Sequence, residues 1–365
     1  MRVGLEIEID DGEIVEIRPN RGLADDFVLA PAFVNAHSHL EYRGLQGLVR
    51  AESYWPWLRE LTAAKSRQPE DAVLEWALVA AGENRATGVA LIGEHSDRPV
   101  SGLAIERHGL EGIIFQEVIT VGEADPHRKL KQVQQRVAKN QAVFRGQVVP
   151  SPHAYWTVDE QTLSGFREGP LSVHVAESQL ERECFVKGTG AMAEALASWE
   201  GPTKDLGLTA VLRLDALGLA RPGTQFVHCC DLDDTEIALI AERRVSVAHC
   251  PRSNVRLQCP GAPMRELLAA GVQVGLGMDS PASGGPIDMF AEMRAALNVA
   301  RQRGRPLTPE EVWTMATVSG AASLGRPSWD IEVGSRAPLL KLHIGGAVCT
   351  EDLICRGRPD LVEWV

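Results

Sequence analysis

The chain has 365 residues, a length that suits two domains or one barrel with a small attachment. Hydrophobic residues make up 44% and charged residues 24%, an ordinary globular composition that excludes disorder, collagen and coiled coil as the main state. The formal net charge of −12 argues against nucleic acid and anionic membranes as partners. No apolar run reaches the length of a transmembrane helix, about 18 residues.

The N-terminal residues lack a signal-peptide pattern, and the seven cysteines include no C-x-x-C pair. We therefore expect a cytoplasmic protein with reduced thiols.

Residues 1–19 alternate between apolar and polar side chains on both sides of Asp10–Asp11–Gly12. Alternation with a period of two is typical of half-buried strands, and an Asp-Gly pair is a hairpin turn signal. The segment is therefore predicted to form two antiparallel strands.

From residue 31 onward, short apolar runs that end in polar or ionisable residues alternate with stretches long enough for helices, such as Asp71–Ala86. Eight strand–helix units over about 250 residues predict a parallel (β/α)8 TIM barrel. The runs are Ala32–Ala36, Val89–Gly93, Gly112–Val118, Gly146–Pro150, Leu171–Val175, Gln225–Cys229, Val245–Ala248 and Val272–Met278.

Two further regions complete the predicted organisation. The long stretch Glu177–Gly223 is expected to hold extra helices, and Asp330–Val365 has a β-like texture. The α/β fold is thus predicted as a metal-dependent barrel domain, residues 31–326, with a small β-sheet domain formed by residues 1–30 and 327–365 from both termini.

The first run ends in His37–Ser38–His39. Residues i and i+2 of a strand point to the same side, so the two imidazoles can share one metal ion. The alternative is that the two histidines are unrelated. Ionisable residues at the ends of the later runs favour a shared site. These runs end at His174, His228, His249 and Asp279.

In a barrel the carboxyl ends of the strands converge on one face. A mononuclear zinc centre needs three or four N/O ligands and an open position, which His37, His39, His174 and Asp279 would provide. The imidazole-rich set predicts one divalent ion, zinc first and ferrous iron second.

Two further polar residues lie at the same predicted strand ends. Glu177, three residues after His174, is placed to shuttle protons, and His228 is placed to orient the attacking water. None of the seven lysines ends a run, which favours a single ion over a lysine-bridged pair. The zinc-deaminase pattern with C-x-x-C is absent, and no nucleotide-phosphate loop is present.

Residues 31–41, which read PAFVNAHSHLE, resemble the P-G-[FL]-[VI]-N-x-H-x-H segment of the amidohydrolase superfamily. The match continues in chain order over about residues 28–325, and it is similar to the branch of nucleoside and heterocycle deaminases. The other matching segments are 151–153 (SPH), 174–177 (HVAE), 249–254 (HCPRSN) and 277–283 (GMDSPAS).

The resemblance implies a mononuclear metal on the same four ligands, with Glu177 as proton shuttle and His228 as the residue that directs water. It further implies that His153 contacts the substrate. His249 falls in a motif that is usually structural.

The chain departs from the nucleoside-processing relatives after the first predicted strand. Pro56 stands where they often carry an acidic residue, and Glu41 or Glu60 are the candidates to replace that ribose contact. Trp55 and Trp57 are interpreted either as loop packing or as pocket lining.

The motif wording is most similar to aminodeoxyfutalosine deaminases of menaquinone biosynthesis. The expected substrate is therefore a 6-aminopurine nucleoside with a benzoate-bearing side chain, and its carboxylate would need an Arg fork from Arg43, Arg182 or Arg252. The predicted substrate-binding residues are His153, Glu41, Trp57 and Arg252.

The alternatives on the same metal are S-adenosylhomocysteine or methylthioadenosine, a guanine-type base, a formimino group and a chlorotriazine. A non-catalytic homologue is a further alternative, which the complete ligand set disfavours. The expected partners are a small-molecule substrate and a second copy of the chain in a homodimer, with no nucleic acid and no membrane.

Overall fold

The structure is a computed structural model that describes residues 4–22, 26–197 and 207–365. Parts of the predicted segments 1–19, 1–30 and 177–223 therefore lie outside the described residues. The strands are β1 (Leu5–Asp10), β2 (Glu13–Pro19), β3 (Val28–Pro31), β4 (Phe33–Ser38), β5 (Val89–Ser96), β6 (Glu111–Val118), β7 (Gln147–Pro152), β8 (Leu171–Val175), β9 (Thr224–His228), β10 (Ser246–His249), β11 (Val274–Leu276), β12 (Leu339–Leu342) and β13 (Val362–Trp364).

Helices separate most of these strands, and two short 3-10 helices span Leu40–Leu45 and Pro359–Leu361. The α-helices are α1 (Tyr54–Lys65), α2 (Glu70–Ala86), α3 (Ser101–Arg107), α4 (Pro126–Gln141), α5 (Glu160–Leu163), α6 (Gln179–Lys187), α7 (Gly190–Ala197), α8 (Ala210–Ala216), α9 (Asp234–Glu242), α10 (Pro251–Arg256), α11 (Met264–Ala269), α12 (Pro281–Gly284), α13 (Met289–Gln302), α14 (Pro309–Ala316), α15 (Val318–Ser323) and α16 (Thr350–Arg356).

The alternation of strand and helix from β4 to α15 confirms the predicted pattern, and each of the eight apolar runs overlaps one strand. The strands form two four-stranded parallel sheets, in the orders β4-β5-β6-β7 and β8-β9-β10-β11. Every residue of β4, β5, β8 and β9 is buried, as expected for parallel strands that are covered on both faces.

The two sheets adjoin at both of their edges. An isolated parallel bridge pairs Ser38 with Asp279 at one junction, and another pairs Ala154 with His174 at the other. These bridges lie at the carboxyl ends of the strands, so the residues that follow β4, β7 and β11 are brought to one place. Closure of the two sheets into a single barrel stays a prediction.

The terminal segments form two separate sheets rather than one. The hairpin of β1 and β2 is as predicted, with Asp11 and Gly12 in the left-handed conformation that the turn requires. The β-like C-terminal strand β12 pairs with β3 and β13, not with the hairpin. Two backbone hydrogen bonds between Ile14 and residues 334–335 join the hairpin to the C-terminal segment.

Several helices begin at conventional capping signals. Asp125 caps α4 with its side chain ahead of Pro126. Thr308 and Glu311 form a capping box at the start of α14. Among the described residues, every helix is too short or too polar to cross a bilayer.

Candidate active site

Backbone hydrogen bonds tie the end of β4 to the residues after β11, and β8 to the residues after β7. The Asp279 amide donates to the His37 carbonyl over 3.0 Å, and the His39 amide donates to the Asp279 carbonyl over 3.1 Å. On the other side, the His174 amide donates to the His153 carbonyl over 2.9 Å. These two sets of bonds lie at the carboxyl ends of the strands, where the four residues of the predicted ligand set are found.

The side chains of those residues converge. Nε2 of His37 lies 3.6 Å from Oδ1 of Asp279, and Nε2 of His39 lies 3.7 Å from the same oxygen. His174 offers a nitrogen within 4.8 Å of a nitrogen of His37, and the same holds against His39. All four residues are buried.

The donor atoms of this cluster fit a divalent cation. Both ring nitrogens of His37 and Nδ1 of His39 are buried without a hydrogen-bond partner. His174 uses Nδ1 to donate to the His153 carbonyl at 2.7 Å, which leaves Nε2 free for an ion. Asp279 accepts hydrogen bonds from Ser253 and from Ser283 at Oδ2, which leaves Oδ1 facing the imidazoles.

The electrostatics agree with metal ligation. Burial lowers the pKa of His37 and His39 well below the usual value, so both rings are neutral, the form that binds a metal. Burial alone would raise the pKa of Asp279, but His39, His228 and the two serine hydroxyls lower it, so the carboxylate is ionised.

Glu177 follows β8 and faces this cluster. Burial, together with the charges of Asp279 and Glu181, raises its pKa well above the usual value. A hydrogen bond from the Tyr54 hydroxyl, supplied by α1, opposes that rise. Glu181 accepts the Glu177 backbone amide at 2.8 Å and fixes the turn after the strand.

His228 ends β9 opposite Glu177, with Nε2 3.6 Å from the Glu177 carboxylate. The Asn254 amide donates to its Nδ1 at 3.0 Å, so the ring proton lies on Nε2, which faces the site as a donor. Burial lowers the pKa of His228 to about 3, which keeps the ring neutral. Asn254 lies within the matching segment 249–254, but no sequence pattern points to this positioning role.

Backbone strain is concentrated at the same strand ends. Ala176, His228 and Asp279 adopt φ angles of 49°, 72° and 53°, in the left-handed region that non-glycine residues rarely occupy. These three residues adjoin or belong to the predicted ligand set and the Glu177–His228 pair.

The side chains of the predicted substrate-binding residues have different surroundings. His153 lies against the predicted ligand His174, with ring centroids 4.6 Å apart. Trp57 is buried in the core, and its Nε1 lacks a hydrogen-bond partner. Glu41 accepts the backbone amides of Asp97 and Arg98 at 3.0 and 2.9 Å, so it anchors the loop after β5.

The arginines considered for a substrate carboxylate all have internal partners. Arg43 forms a two-pronged pair with Glu83, and Arg182 pairs with Asp231 and Glu236. Arg252 donates to the Pro286 carbonyl at 2.7 Å and lies 3.8 Å from Glu292. Their roles toward substrate stay predictions.

Two residues of the cluster were missed by the sequence reasoning. His95 and Glu117 lie in β5 and β6 with fully buried side chains, and each falls within a group of potential metal ligands that includes His174. The signal was present, because a polar stretch, Glu94–His95–Ser96, follows the second apolar run. The apolar run ends at Gly93, whereas the strand continues to Ser96.

The family model described as "Amidohydrolase family" matches residues 28–358. A 5-methylthioadenosine/S-adenosylhomocysteine deaminase of Haloarcula marismortui is 31% identical over 371 residues, covering 94% of this chain and 81% of the relative.

Among solved structures, an adenosine deaminase from Xanthomonas campestris with bound zinc superposes with a TM-score of 0.83 at 24% identity, over 98% of this chain and 86% of that one. Helicobacter pylori aminofutalosine deaminase, in complex with methylthio-coformycin, gives a TM-score of 0.79 at 20% identity, over 98% and 91%. These likenesses show the fold.

The chain belongs to the amidohydrolase family. The resemblance to this superfamily and the expectation of a hydrolytic deaminase are both confirmed.

Proposed function

We propose that this amidohydrolase removes the 6-amino group of a purine nucleoside that carries a substituent at its 5′ position. The observation that carries the proposal is the pairing of Glu177 and His228 across 3.6 Å, directly beside the His/Asp cluster. A buried carboxyl with a raised pKa next to a neutral, donating imidazole is suited to moving a proton to and from a substrate.

The proposed ligands of one tightly bound divalent ion are His37, His39, His174 and Asp279. Their three imidazoles and one carboxylate suit zinc, with ferrous iron as the second choice. Such an ion, when bound, lowers the pKa of water and stabilises developing negative charge.

Glu177 carries the protons in this proposal. It takes one proton from the attacking water and delivers it to ring N1, which makes C6 electrophilic. After attack, the same carboxylate takes the second proton of the former water from the new C6 hydroxyl and passes it to the amino group, which leaves as ammonia while C6 becomes a carbonyl. His228 donates from Nε2 to the attacking oxygen and keeps it directed at C6.

Aminodeoxyfutalosine is the first substrate that we propose, from the similarity of the H-x-H-L-E segment, and it would place the enzyme in menaquinone biosynthesis. The second is S-adenosylhomocysteine or methylthioadenosine, the substrates named for the Haloarcula relative. One observation favours the second: Arg43 and Arg182 are already paired with carboxylates, so a benzoate would have to compete for them.

The remaining proposals concern architecture and setting. We propose that the eight parallel strands close into one barrel, supported by the bridges of Ser38 and Ala154 at the sheet junctions. The proposed domains are residues 31–326 for the barrel and residues 1–30 with 327–365 for the small β domain. We further propose a cytoplasmic homodimer that acts on a small molecule, with substrate contacts from His153, Glu41, Trp57 and Arg252.

The test is product release by the zinc-loaded protein, measured as ammonia for the amino and formimino substrates and as chloride for the chlorotriazine. The substrates are aminodeoxyfutalosine, S-adenosylhomocysteine, methylthioadenosine, adenosine, guanine, formiminoglutamate and a chlorotriazine. We expect the 5′-substituted nucleosides to have the highest kcat/KM. The Glu177→Gln protein, at equal metal content, is the inactive control. Turnover of guanine, formiminoglutamate or the triazine alone would contradict the nucleoside proposal.

A further inference from the structure

A cavity lies at the amino ends of the parallel strands, at the opposite end of the sheets from the candidate active site. We call it the amino-end cavity, and it is lined in part by the first residues of four strands, Gln147, Leu171, Thr224 and Ser246. Its volume is about 830 Å³. Small-molecule sites in proteins have volumes of about 300–1,000 Å³, so this cavity is large enough for an organic ligand.

Three arginines and, within the described part of the chain, no carboxylate line the amino-end cavity. The arginines are Arg221, Arg244 and Arg326. The chain as a whole contains 49 acidic residues and has a net charge of −12. The cavity is therefore a local positive region on an acidic protein, and such a region attracts anions.

The three guanidinium groups are not neutralised by carboxylates nearby. Arg221 donates to backbone carbonyls, and its Nε is buried without a hydrogen-bond partner. Burial lowers the pKa of Arg221, and the charge of Glu168 opposes that shift. The exposed guanidinium of Arg244 forms no hydrogen bond or ion pair with the residues that the structure describes. Arg326 lies 3.9 Å from Glu111, and both side chains are about half exposed, so this pair is weak.

Several neutral polar groups of the lining already have partners inside the protein. The Thr224 hydroxyl donates to the Leu219 carbonyl at 2.8 Å, and the Ser323 hydroxyl donates to the Gly320 carbonyl at 2.7 Å. The amide nitrogen of Gln225 donates to the Ser323 hydroxyl at 3.4 Å. The guanidinium N–H groups therefore remain as charged donors for a ligand, and they form charge-assisted hydrogen bonds with phosphate and carboxylate oxygens.

The inner wall of the amino-end cavity is apolar. It is formed by buried side chains, Phe115, Leu171, Val245, Val272 and Leu324. An inorganic anion alone would leave this wall in contact with water, whereas the apolar body of an organic anion would cover it.

We propose that the amino-end cavity binds a small organic anion. Its phosphate or carboxylate group lies against the arginines, and its apolar body packs on the inner wall. This site is separate from the His/Asp cluster at the carboxyl ends of the strands, and it does not depend on the proposed deaminase activity.

The test is isothermal titration calorimetry on the full-length, zinc-loaded chain after free zinc has been removed. The probes are phenyl phosphate, benzoate, inorganic phosphate and phenol, which is neutral at pH 7. We expect the tighter of the two organic anions to bind once per chain, at least about tenfold more tightly than inorganic phosphate or phenol. The reason is that only an organic anion contacts both the arginines and the apolar wall. Comparing phenyl phosphate with benzoate identifies the preferred anionic group.

Arg244→Gln and Arg326→Gln each remove one positive charge from the cavity. Each substitution should weaken binding of that anion by about tenfold, as expected for the loss of a hydrogen bond to a charged group. The matched control is Arg301→Gln, which removes an exposed arginine of α13 outside the cavity and should bind the anion as the wild type does. Circular dichroism establishes that each variant is folded.

The absence of saturable binding for both organic anions would overturn the proposal. Wild-type affinity in the double variant Arg244→Gln/Arg326→Gln would overturn it as well, because an anion bound at the metal cluster would survive these substitutions. Phenol that binds as tightly as the organic anions would show that the arginines do not select the ligand. Deaminase assays of the same proteins test the proposed function separately, since none of these arginines belongs to its machinery.

Discussion

At the scale of single residues, the two groups proposed to act on substrate are each held by a neighbour. Glu181 binds the backbone amide of Glu177, and Asn254 fixes the proton of His228 on Nε2. The carboxyl and the imidazole therefore face each other in one defined orientation, which is what a proton shuttle and a water-directing donor require.

Glu177→Gln keeps the shape of the side chain and removes the base. We expect metal content and substrate affinity to stay at the wild-type level while kcat falls by about three orders of magnitude, because the carboxyl serves at least two proton transfers of roughly 10²–10⁴-fold each. Single-turnover kinetics together with elemental analysis measure both quantities. A variant with near-normal kcat and full metal occupancy would show that another acid does this work.

Asp279→Ala removes the only carboxylate among the four proposed ligands. We expect affinity for the tightly bound ion to fall by more than the 10–100-fold typical of losing an outer-shell partner. Elemental analysis after dialysis at limiting zinc measures the loss. Ser283→Ala, which removes one hydrogen bond to the same carboxylate, is the milder comparison. Unchanged zinc content in Asp279→Ala would remove this residue from the ligand set.

The sequence predicted individual site residues where the chemistry is carried by residue type at a strand end. His37 and His39 were recognisable because two imidazoles at i and i+2 share a side, and the structure brings them to Asp279. His95 was not, because the apolar run ends at Gly93 while the strand continues through polar residues to Ser96. The partners of Glu41 could not be predicted, since the loop that it anchors lies 56 residues away.

At the scale of elements, close packing around the strand ends controls where the ligands sit. Gly277 follows β11, and a Cβ at this position would lie 2.7 Å from Cβ of His37 and 2.9 Å from Sγ of Cys250. Neither neighbour can retreat easily, because both side chains are fully buried.

Gly277→Ala should therefore have two effects: it destabilises the protein and it displaces His37. We expect a cost of about 1–3 kcal/mol, which is typical of overpacking in a core, together with reduced zinc content. Thermal unfolding and elemental analysis measure the two effects. Gly22→Ala, where the nearest atom to the new Cβ is 3.5 Å away, serves as the control. A wild-type Tm together with a wild-type zinc content would mean that the backbone at the end of β11 shifts to accommodate the added methyl group.

Strands could be located from the sequence where all of their residues are buried. Parallel strands that are covered on both faces leave continuous apolar runs, so the eight strands could be located. The pairing of β12 with β3 could not, because β3 is a four-residue apolar segment without alternation and its partner is more than 300 residues away. The last segment also contains α16, which interrupts the β-like texture predicted there.

At the scale of the whole molecule, several carboxyl groups are buried in a chain that already has a net charge of −12. Glu292 in α13 is one that lies outside the metal cluster. It accepts the Arg252 amide at 2.9 Å, and burial raises its pKa to about 8. The folded protein therefore holds a proton there that the unfolded chain releases above its ordinary pKa.

The free energy of unfolding should consequently fall as the pH rises from about 5 to about 8, by up to about 1.4 kcal/mol per pH unit from this group. Glu292→Gln removes that contribution. The Tm of the variant relative to that of the wild type should therefore increase as the pH rises from about 5 to about 8. Thermal unfolding of both proteins at saturating zinc measures the difference. Glu310→Gln, at an exposed position, is the control, and a difference independent of pH would contradict the assignment.

The left-handed backbone at Ala176, His228 and Asp279 also bears on how this enzyme can change by selection. Conformations of this kind cost about 1–3 kcal/mol each, and a glycine would relieve the strain. Directed evolution for heat resistance alone should select Ala176→Gly. Of the three residues, Ala176 is the one without a polar side chain that the substitution would remove. The same change would loosen the segment between His174 and Glu177, so durability would be gained at the expense of turnover.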